Sequence, residues 1–313
     1  MESGLTDFVS IENGAGIARI TCGWKLAHLP LEAVRCYWRD VHSPAISRRA
    51  GLYEYRHSQF KDVDATLLAP VAGINYSCPA DQQLMWLSDV RYRNQAALDL
   101  FTISPGADVR ALILGDIDLL VDQSTTYKSV GDDAKTYLDT TGEPTPIGPA
   151  AAGSFGLFFR QNGDDATFRA GLTAIAALWA RTPGVKRVRL NLFEAPDMEA
   201  ERKAGYPIKT HPVERQYQAW IDLMLDSDAV AKTLLTAADG VDYASFIREI
   251  HAYPVNSLYT FVYNTKPTLV ALRGYAAYQS IMAFNAQHQV QPALLEWMYG
   301  DIVNGIQPKE EAA

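Results

Sequence analysis

Apolar positions along the chain follow two rhythms that alternate. Residues 17–26 (IARITCGWKL) alternate as a strand does. After Pro30 the spacing changes to steps of three and four, with Leu31, Val34, Trp38, Val41 and Ala45 on one helical face. Gly51 ends that helix, residues 52–60 alternate again, 83–92 give a third strand and 96–103 a short helix. The stretch 108–128 is expected to hold a fourth strand running through LILGDIDLL. From 131 to 154 the rhythm stops. Pro144, Pro146 and Pro149 crowd among Gly, Asp and Thr, a composition that excludes helix or central strand and predicts a linker.

The same order then returns. Residues 155–161 (FGLFFRQ) read as a strand, Asp164 or Asp165 caps a helix striped by Phe168, Leu172, Ile175 and Trp179, and Pro183-Gly184 stops it. Strands at 185–194 and 217–225, a helix at 228–235 and a last strand within 243–251 complete the set. Trp38 and Trp179, Gly51 and Gly184, Trp86 and Trp220, and Ile117 and Ile250 take matching places, which indicates a duplication. Strand, helix, strand, strand, helix, strand is the split βαβ, or ferredoxin-like, arrangement. Its sheet carries helices on one face only, so the bare face needs a partner, and a second copy in the same chain supplies one. The expected division is 1–130 for a first unit with the active site, 131–154 for the linker, 155–264 for a degenerate second unit and 265–313 for a helical extension. In that extension Tyr275, Tyr278, Phe284, Trp297 and Tyr299 form an apolar surface through which a homodimer is expected.

Composition narrows the partners. The 313 residues carry a net charge of −8 with both signs interspersed, which argues against broad phosphate-backbone binding, so no nucleic-acid partner is expected. Apolar runs fall short of the roughly 18 residues that span a bilayer, and MESGLTDFVS lacks a basic patch followed by an apolar stretch. Neither a membrane partner nor a secretory signal is expected. The three cysteines, Cys22, Cys36 and Cys78, include no C-x-x-C pair; Cys22 and Cys36 read as small buried residues, and a reducing, cytoplasmic setting follows.

Candidate chemistry concentrates in 36–57, CYWRDVHSPAISRRAGLYEYRH. Trp38 and His42 are four apart and share a helix face. On the strand that follows, Tyr53, Tyr55 and His57 are two apart and point one way, with Glu54 and Arg56 opposite. Two histidines that titrate near neutrality and two tyrosyl hydroxyls would thus converge on one cleft, walled by Trp38 and Trp86. Asp116 and Asp118 alternate on the expected fourth strand, where Asp118 is placed to orient a histidine. His251 faces either a pocket or the seam between the halves, while His211 and His288 read as surface. Each of these residues also has a plainer reading, as a core aromatic, a hydrogen-bonded core histidine or a helix-end charge.

The stretch resembles the EthD family of the dimeric α+β barrel superfamily. The resemblance rests on Tyr37-Trp38, His42 followed by Pro44, Ala50-Gly51, and the strand Tyr53-x-Tyr55-x-His57, and covers residues about 15 to 130. It implies an α+β fold in which tandem ferredoxin-like units form an intramolecular dimeric α+β barrel with C-terminal helices. It further implies a cofactor-free enzyme, like the polyketide cyclases, isomerases, lyases and monooxygenases of that superfamily. The second half lacks the motif, because Trp38 to Gly51 spans 13 residues and Trp179 to Gly184 only 5.

No G-x-S-x-G, G-x-x-x-x-G-K-[ST], H-E-x-x-H or Rossmann glycine pattern occurs, and no spacing suggests a metal site. The expected function is His/Tyr acid–base chemistry on a hydrophobic, aromatic or polyketide-like small molecule, as a lyase, cyclase, isomerase or dehydratase. His42 or His57 is the base and Tyr53 and Tyr55 are donors. Trp38, Trp86, Asp118 and His251 contact substrate, and no cofactor is required. Two alternatives stay open: a heme- or oxygen-dependent enzyme of the same barrel, and a non-catalytic binder of hydrophobic ligands.

Overall fold

The computed structural model of the chain describes residues 7–207, 209–236 and 240–304. A short helix α1 (Phe8–Glu12) leads into β1 (Ile17–Lys25). Helix α2 (Leu31–Tyr37) then runs through a π turn at Trp38–His42 into α3 (Ser43–Ile46). β2 (Glu54–Phe60), β3 (Trp86–Tyr92), the helices α4 (Gln95–Ile103) and α5 (Ala107–Leu120), and β4 (Val121–Val130) complete the first unit. Next come the short strands β5 (Ala134–Asp139) and β6 (Ile147–Pro149). The second unit has β7 (Ser154–Gln161), α6 (Asp165–Trp179), β8 (Val185–Leu192), α7 (Met198–Lys203), β9 (Ala219–Leu225), α8 (Asp228–Ala231) and β10 (Ile247–Tyr263). A two-residue strand β11 (Lys266–Pro267) and helices α9 (Leu269–Arg273), α10 (Tyr275–Ala283) and α11 (Pro292–Tyr299) follow.

The strands form one ribbon in the order β4-β1-β3-β2-β10-β7-β9-β8-β5. Each half contributes its fourth, first, third and second strand in that sequence, which is ferredoxin-like connectivity twice over. Two crossings join the halves. β10 pairs with β7 over Ile247–Pro254 and with β2 over Val255–Val262, and β4 leads through residues 131–133 into β5, which pairs with β8. The ribbon's two ends are therefore consecutive in the chain, and Glu194 N–H donates to the Lys128 carbonyl at 2.8 Å where they meet. The sheet curls on itself, and the fold is an intramolecular dimeric α+β barrel with C-terminal helices.

Inner faces meet in the lumen. At one end Glu54, Asp89 and Glu12 surround Arg189, with Glu54 Oε2 2.7 Å and Asp89 Oδ2 3.1 Å from its guanidinium. Arg56 and Arg187 reach Glu12 at 2.7 and 3.0 Å, so α1 plugs the barrel with a buried carboxylate. Burial pushes Glu12 up, but Arg187, Arg189 and Arg56 hold it well below the usual carboxylate range. At the other end the lumen is aromatic, with Phe60, Phe158, Tyr217, Trp220 and Tyr253 packed together.

Four expectations need correction. LILGDIDLL is not a strand: residues 107–120 form α5, whose buried Leu114 and Leu120 and partly buried Ile117 recur every three residues, and the strand starts only at the β-branched run after it. Ile117 on a helix therefore does not match Ile250 on β10. The proline-rich 131–154 segment carries β5 and β6, because its prolines fall between and at the ends of these strands rather than inside them. Val41 is 48% exposed, since the π turn rotates the helix after Trp38 out of the expected stripe, and Cys36 is exposed because it lies two residues from both Val34 and Trp38 and so on the other side of α2.

Candidate functional site

The helix-facing side of the first unit's sheet encloses a pocket with about 890 Å³ of empty space, part of it open to solvent. Strand register sets its floor. Gly23 pairs with Trp86, Thr21 with Ser88 and Arg19 with Val90, while Thr21 and Thr126 share a hydrogen bond of 3.0 Å across β1 and β4. A Cβ at Gly23 would lie 2.1 Å from the Trp86 ring, so the absence of a side chain there is what lets the indole lie on the sheet. The wall is Trp38, His42 and Ile46 from the first helical segment, with Phe101, Leu114 and Ile117 from α4 and α5.

Pro44 explains how His42 is presented. Lacking an N–H, it cannot close the usual helical bond to residue 40, and the helix widens so that the Ser43 N–H donates to the Trp38 carbonyl. In this π turn the Trp38 and His42 rings lie 4.1 Å apart, and Trp38 sits 5.0 Å from Trp86. His42 Nδ1 is 3.0 Å from Asp116 Oδ2, and the Tyr37 hydroxyl donates to Asp116 Oδ1 at 2.7 Å. The hydrogen bond from His42 holds the Asp116 carboxyl below its usual value against partial burial, and Tyr37 adds to it. An ionised Asp116 fixes the Nδ1–H tautomer of His42. Nε2 makes no hydrogen bond among the described residues, and the ring lines the pocket.

Tyr55 also lines the pocket, with its hydroxyl 2.7 Å from Ser43 Oγ. Burial pushes it up to about 12 although its hydrogen bond with Ser43 pulls the other way, so it stays a protonated donor. Among the residues expected at the site, the structure therefore brings together Trp38, His42, Tyr55 and Trp86.

Four others lie elsewhere. His57 is fully buried behind Trp38, ring centroids 6.3 Å apart, with Nδ1 3.4 Å from Ser88 Oγ; burial, with the charges of His42 and Arg39, lowers it to about 3 and keeps it neutral. Tyr53 precedes β2, so strand alternation does not govern it, and its hydroxyl donates to the Ile11 carbonyl at 2.5 Å. Asp118 turns away from Asp116 because two residues on a helix are about 200° apart; it is exposed and pairs with Lys209 at 3.3 Å. His251 is in the lumen, its Nδ1 2.8 Å from the Tyr217 hydroxyl and its Nε2 3.4 Å from Glu249. His288 is exposed as expected, whereas His211 is buried, its ring 3.9 Å from Trp24.

The second half does contribute to the site. Its β8–β9 connection, of which residues 193–207 and 209–218 are described, folds over the first unit's pocket and supplies Pro196, Met198, Glu201, Tyr206, Pro207 and Thr210. Asp116 was within reach of sequence reasoning, since Asp116, Leu120 and Ile113 fall on helical spacing once α5 is recognised. The connection left no such signal.

No family model matches the chain, and no curated protein matches it. Among solved structures, it is similar to an anthrone oxidase-like protein at 10% identity and a TM-score of 0.44, covering 79% of this chain and 93% of that one. It is similar to a mutant chlorite dismutase from Candidatus Nitrospira defluvii at 11% identity and a TM-score of 0.40, over 81% and 94%. A third likeness, to a proposed monooxygenase from Lactobacillus acidophilus, has 10% identity and a TM-score of 0.40, over 79% and 96%. No helix among the described residues is long and apolar enough to cross a membrane.

Proposed function

We propose that the chain is an EthD-like enzyme that uses His42 as a general base on a hydrophobic aromatic or polyketide-like substrate. The observation that carries this reading is the Tyr37–Asp116–His42 relay at the wall of a pocket lined by Trp38 and Trp86. Nε2 takes a proton from the substrate, and Asp116 stabilises the imidazolium that results. Tyr55 donates to the oxygen on which negative charge develops, within a pocket whose apolar walls strengthen that bond. The proton then returns to another carbon in an isomerisation or cyclisation, or leaves with a hydroxyl group as water in a dehydration. Neither His57 nor Tyr53 reaches the pocket, and their part in this reading is to hold Trp38 and the start of β2.

The test is proton exchange. In D₂O, wild-type protein should exchange the acidic C–H of an enolisable aromatic ketone such as 2-tetralone faster than the His42→Ala variant does, as followed by NMR. Equal exchange rates in the two proteins overturn the assignment of His42.

A second reading rests on the same nitrogen. A carboxylate-held imidazole with a free Nε2 would also suit His42 to hold a heme, which would supply one-electron redox chemistry there. A Soret band on hemin titration that is lost in His42→Ala supports it; a spectrum that His42→Ala leaves unaltered removes it.

A further inference from the structure

Opposite the Trp38–Trp86 end, the pocket changes character. Arg19 lines it, ion-paired with Glu201 of α7 and set 5.1 Å over the Tyr206 ring. Arg49 donates to the Tyr206 hydroxyl at 3.0 Å, so two guanidinium groups share one tyrosine. Lys128 stands directly opposite Arg19 in the β1–β4 register, hence on the same face of the sheet, and makes no ion pair among the described residues. The contacts at this end thus leave more positive charge than the one carboxylate of Glu201 balances. That carboxylate comes from a connection of the second unit, α7, whose first turn is capped by the Asp197 side chain. It enters the pocket from the connection that covers it, not from the sheet that forms its floor.

We infer that Arg19 recognises a carboxylate carried by the substrate, and that Glu201 holds the place which that carboxylate takes over. The inference rests on the reading of this pocket as a substrate site and narrows its substrate class to elongated aromatic acids. Arg19 faces Val90, four residues along β3 from Trp86, which is roughly 13 Å of strand. A molecule stacked on Trp86 and Trp38 beside His42 reaches Arg19 only if it is about two to three fused rings long with its acid at the far end. Arg is suited to the task because its planar fork meets a carboxylate with two parallel hydrogen bonds.

The experiment measures binding of anthracene-2-carboxylate and its neutral primary amide to the full chain, by fluorescence titration. Wild-type protein should bind the acid at least about tenfold more tightly than the amide. Glu201→Gln should tighten the acid several-fold and leave the amide unchanged, since it frees Arg19 without disturbing the sheet. Arg19→Gln should erase the preference. Arg19→Lys should keep part of it, because the charge stays and the fork is lost. Equal binding of acid and amide by the wild type, or a Glu201→Gln variant that weakens the acid, overturns the inference. His42→Ala separates it from the catalytic reading. An acid preference that survives in His42→Ala supports the Arg19 anchor even if no proton exchange is found; exchange without any acid preference leaves His42 in place and removes the anchor.

Discussion

The two halves have the same strand order and opposite sheet faces. In the second unit the strand residues that look toward α6 are Phe155, Leu157, Phe159, Leu190, Leu192, Ile221 and Leu223, and they pack in one buried cluster with Phe168, Leu172, Ile175 and Trp179. On the corresponding face of the first unit β1 presents Arg19, Thr21 and Gly23 and β4 presents Ser124 and Thr126, while β3 and β2 bring Trp86, Ser88, Val90, Tyr92 and Tyr55. Thr21, Gly23, Ser88, Ser124 and Thr126 are too short to fill the space beneath a helix, and a pocket is the result. The connections reinforce the contrast. Residues 61–85 of the first unit press Leu67, Leu68 and Ile74 into the second unit's core, whereas the β8–β9 connection of the second unit roofs the first unit's pocket. One topology thus gives a packed core where its strands are apolar and a site where they are not.

The sharpest way to break this comparison is to remove the chemistry from one side only. Given a turned-over substrate, His42→Ala should lower kcat by ~10²-fold or more and Asp116→Asn by about tenfold. His251→Ala should leave kcat unchanged once folded protein is compared with folded protein. A loss in His251→Ala equal to that in His42→Ala would mean that the lumen belongs to the site.

The next effect is on stability. Trp179 is fully buried and its indole N–H donates to the Leu234 carbonyl at 2.9 Å, so Trp179→Ala should cost about 3–5 kcal/mol in chemical denaturation. Trp38→Ala should cost less, because its ring already borders open space, and should weaken binding of aromatic probes instead. Equal losses would show that the first unit is packed as tightly as the second.

The pocket can also be given the second unit's face. Thr21→Leu with Ser88→Ile should fill it, raise the Tm by a few degrees and abolish aromatic binding. Unaltered binding in that double variant would place the ligand elsewhere.

A smaller effect is expected with pH. Burial lowers His57 to about 3 and His211 and His251 to about 4, below the unfolded value near 6.5. The unfolded chain binds protons first, so the stability these groups provide is full above about pH 6.5 and is lost as pH falls toward 4. Tm should drop over that window, and His211→Asn should flatten the drop if the variant keeps its fold. A Tm independent of pH between 7 and 5 would contradict the burial of these rings.

Much of this was legible in the residues. The duplicated strand–helix order follows from periodicity alone, and the π-turn display of His42 is encoded by Pro44 two positions later. Strand parity puts Tyr55 on the face that lines the pocket and Glu54 and Arg56 on the far face, where they meet Arg189 and Glu12, but it does not tell that Tyr53 and His57 stop short of the pocket. What escaped was the fourth element, because LILGDIDLL is apolar enough for either a strand or a helix. With it went Asp116, since a strand reading puts Asp116 and Asp118 on one face and a helix separates them. The roof over the pocket was not legible, because it depends on how one half lies across the other. The clue overlooked lies in strands whose helix-facing positions read Arg-Thr-Gly in one half and Phe-Leu-Phe in the other.

The smallest effect concerns association. Phe284 and Trp297, each 84% exposed, remain the candidates for a homodimer surface, while Tyr275 is engaged by Tyr259 and Arg39. Phe284→Ser with Trp297→Ser should shift sedimentation toward the monomer; an unchanged profile removes that surface. Cutting the chain after 264, by contrast, would strip the buried Val270 and Ala271 of α9.

The measurement that tests the central contrast most directly needs no substrate. Diethylpyrocarbonate modification of the six histidines, followed residue by residue with mass spectrometry, reports which rings can be reached. The exposed His28 and His288 should react fastest and His42 more slowly through the pocket, while His57, His211 and His251 stay unmodified. Filling the pocket with Thr21→Leu and Ser88→Ile should protect His42 alone. Modification of His251 at the rate of His42, or a His42 that the filled pocket does not protect, would contradict the account.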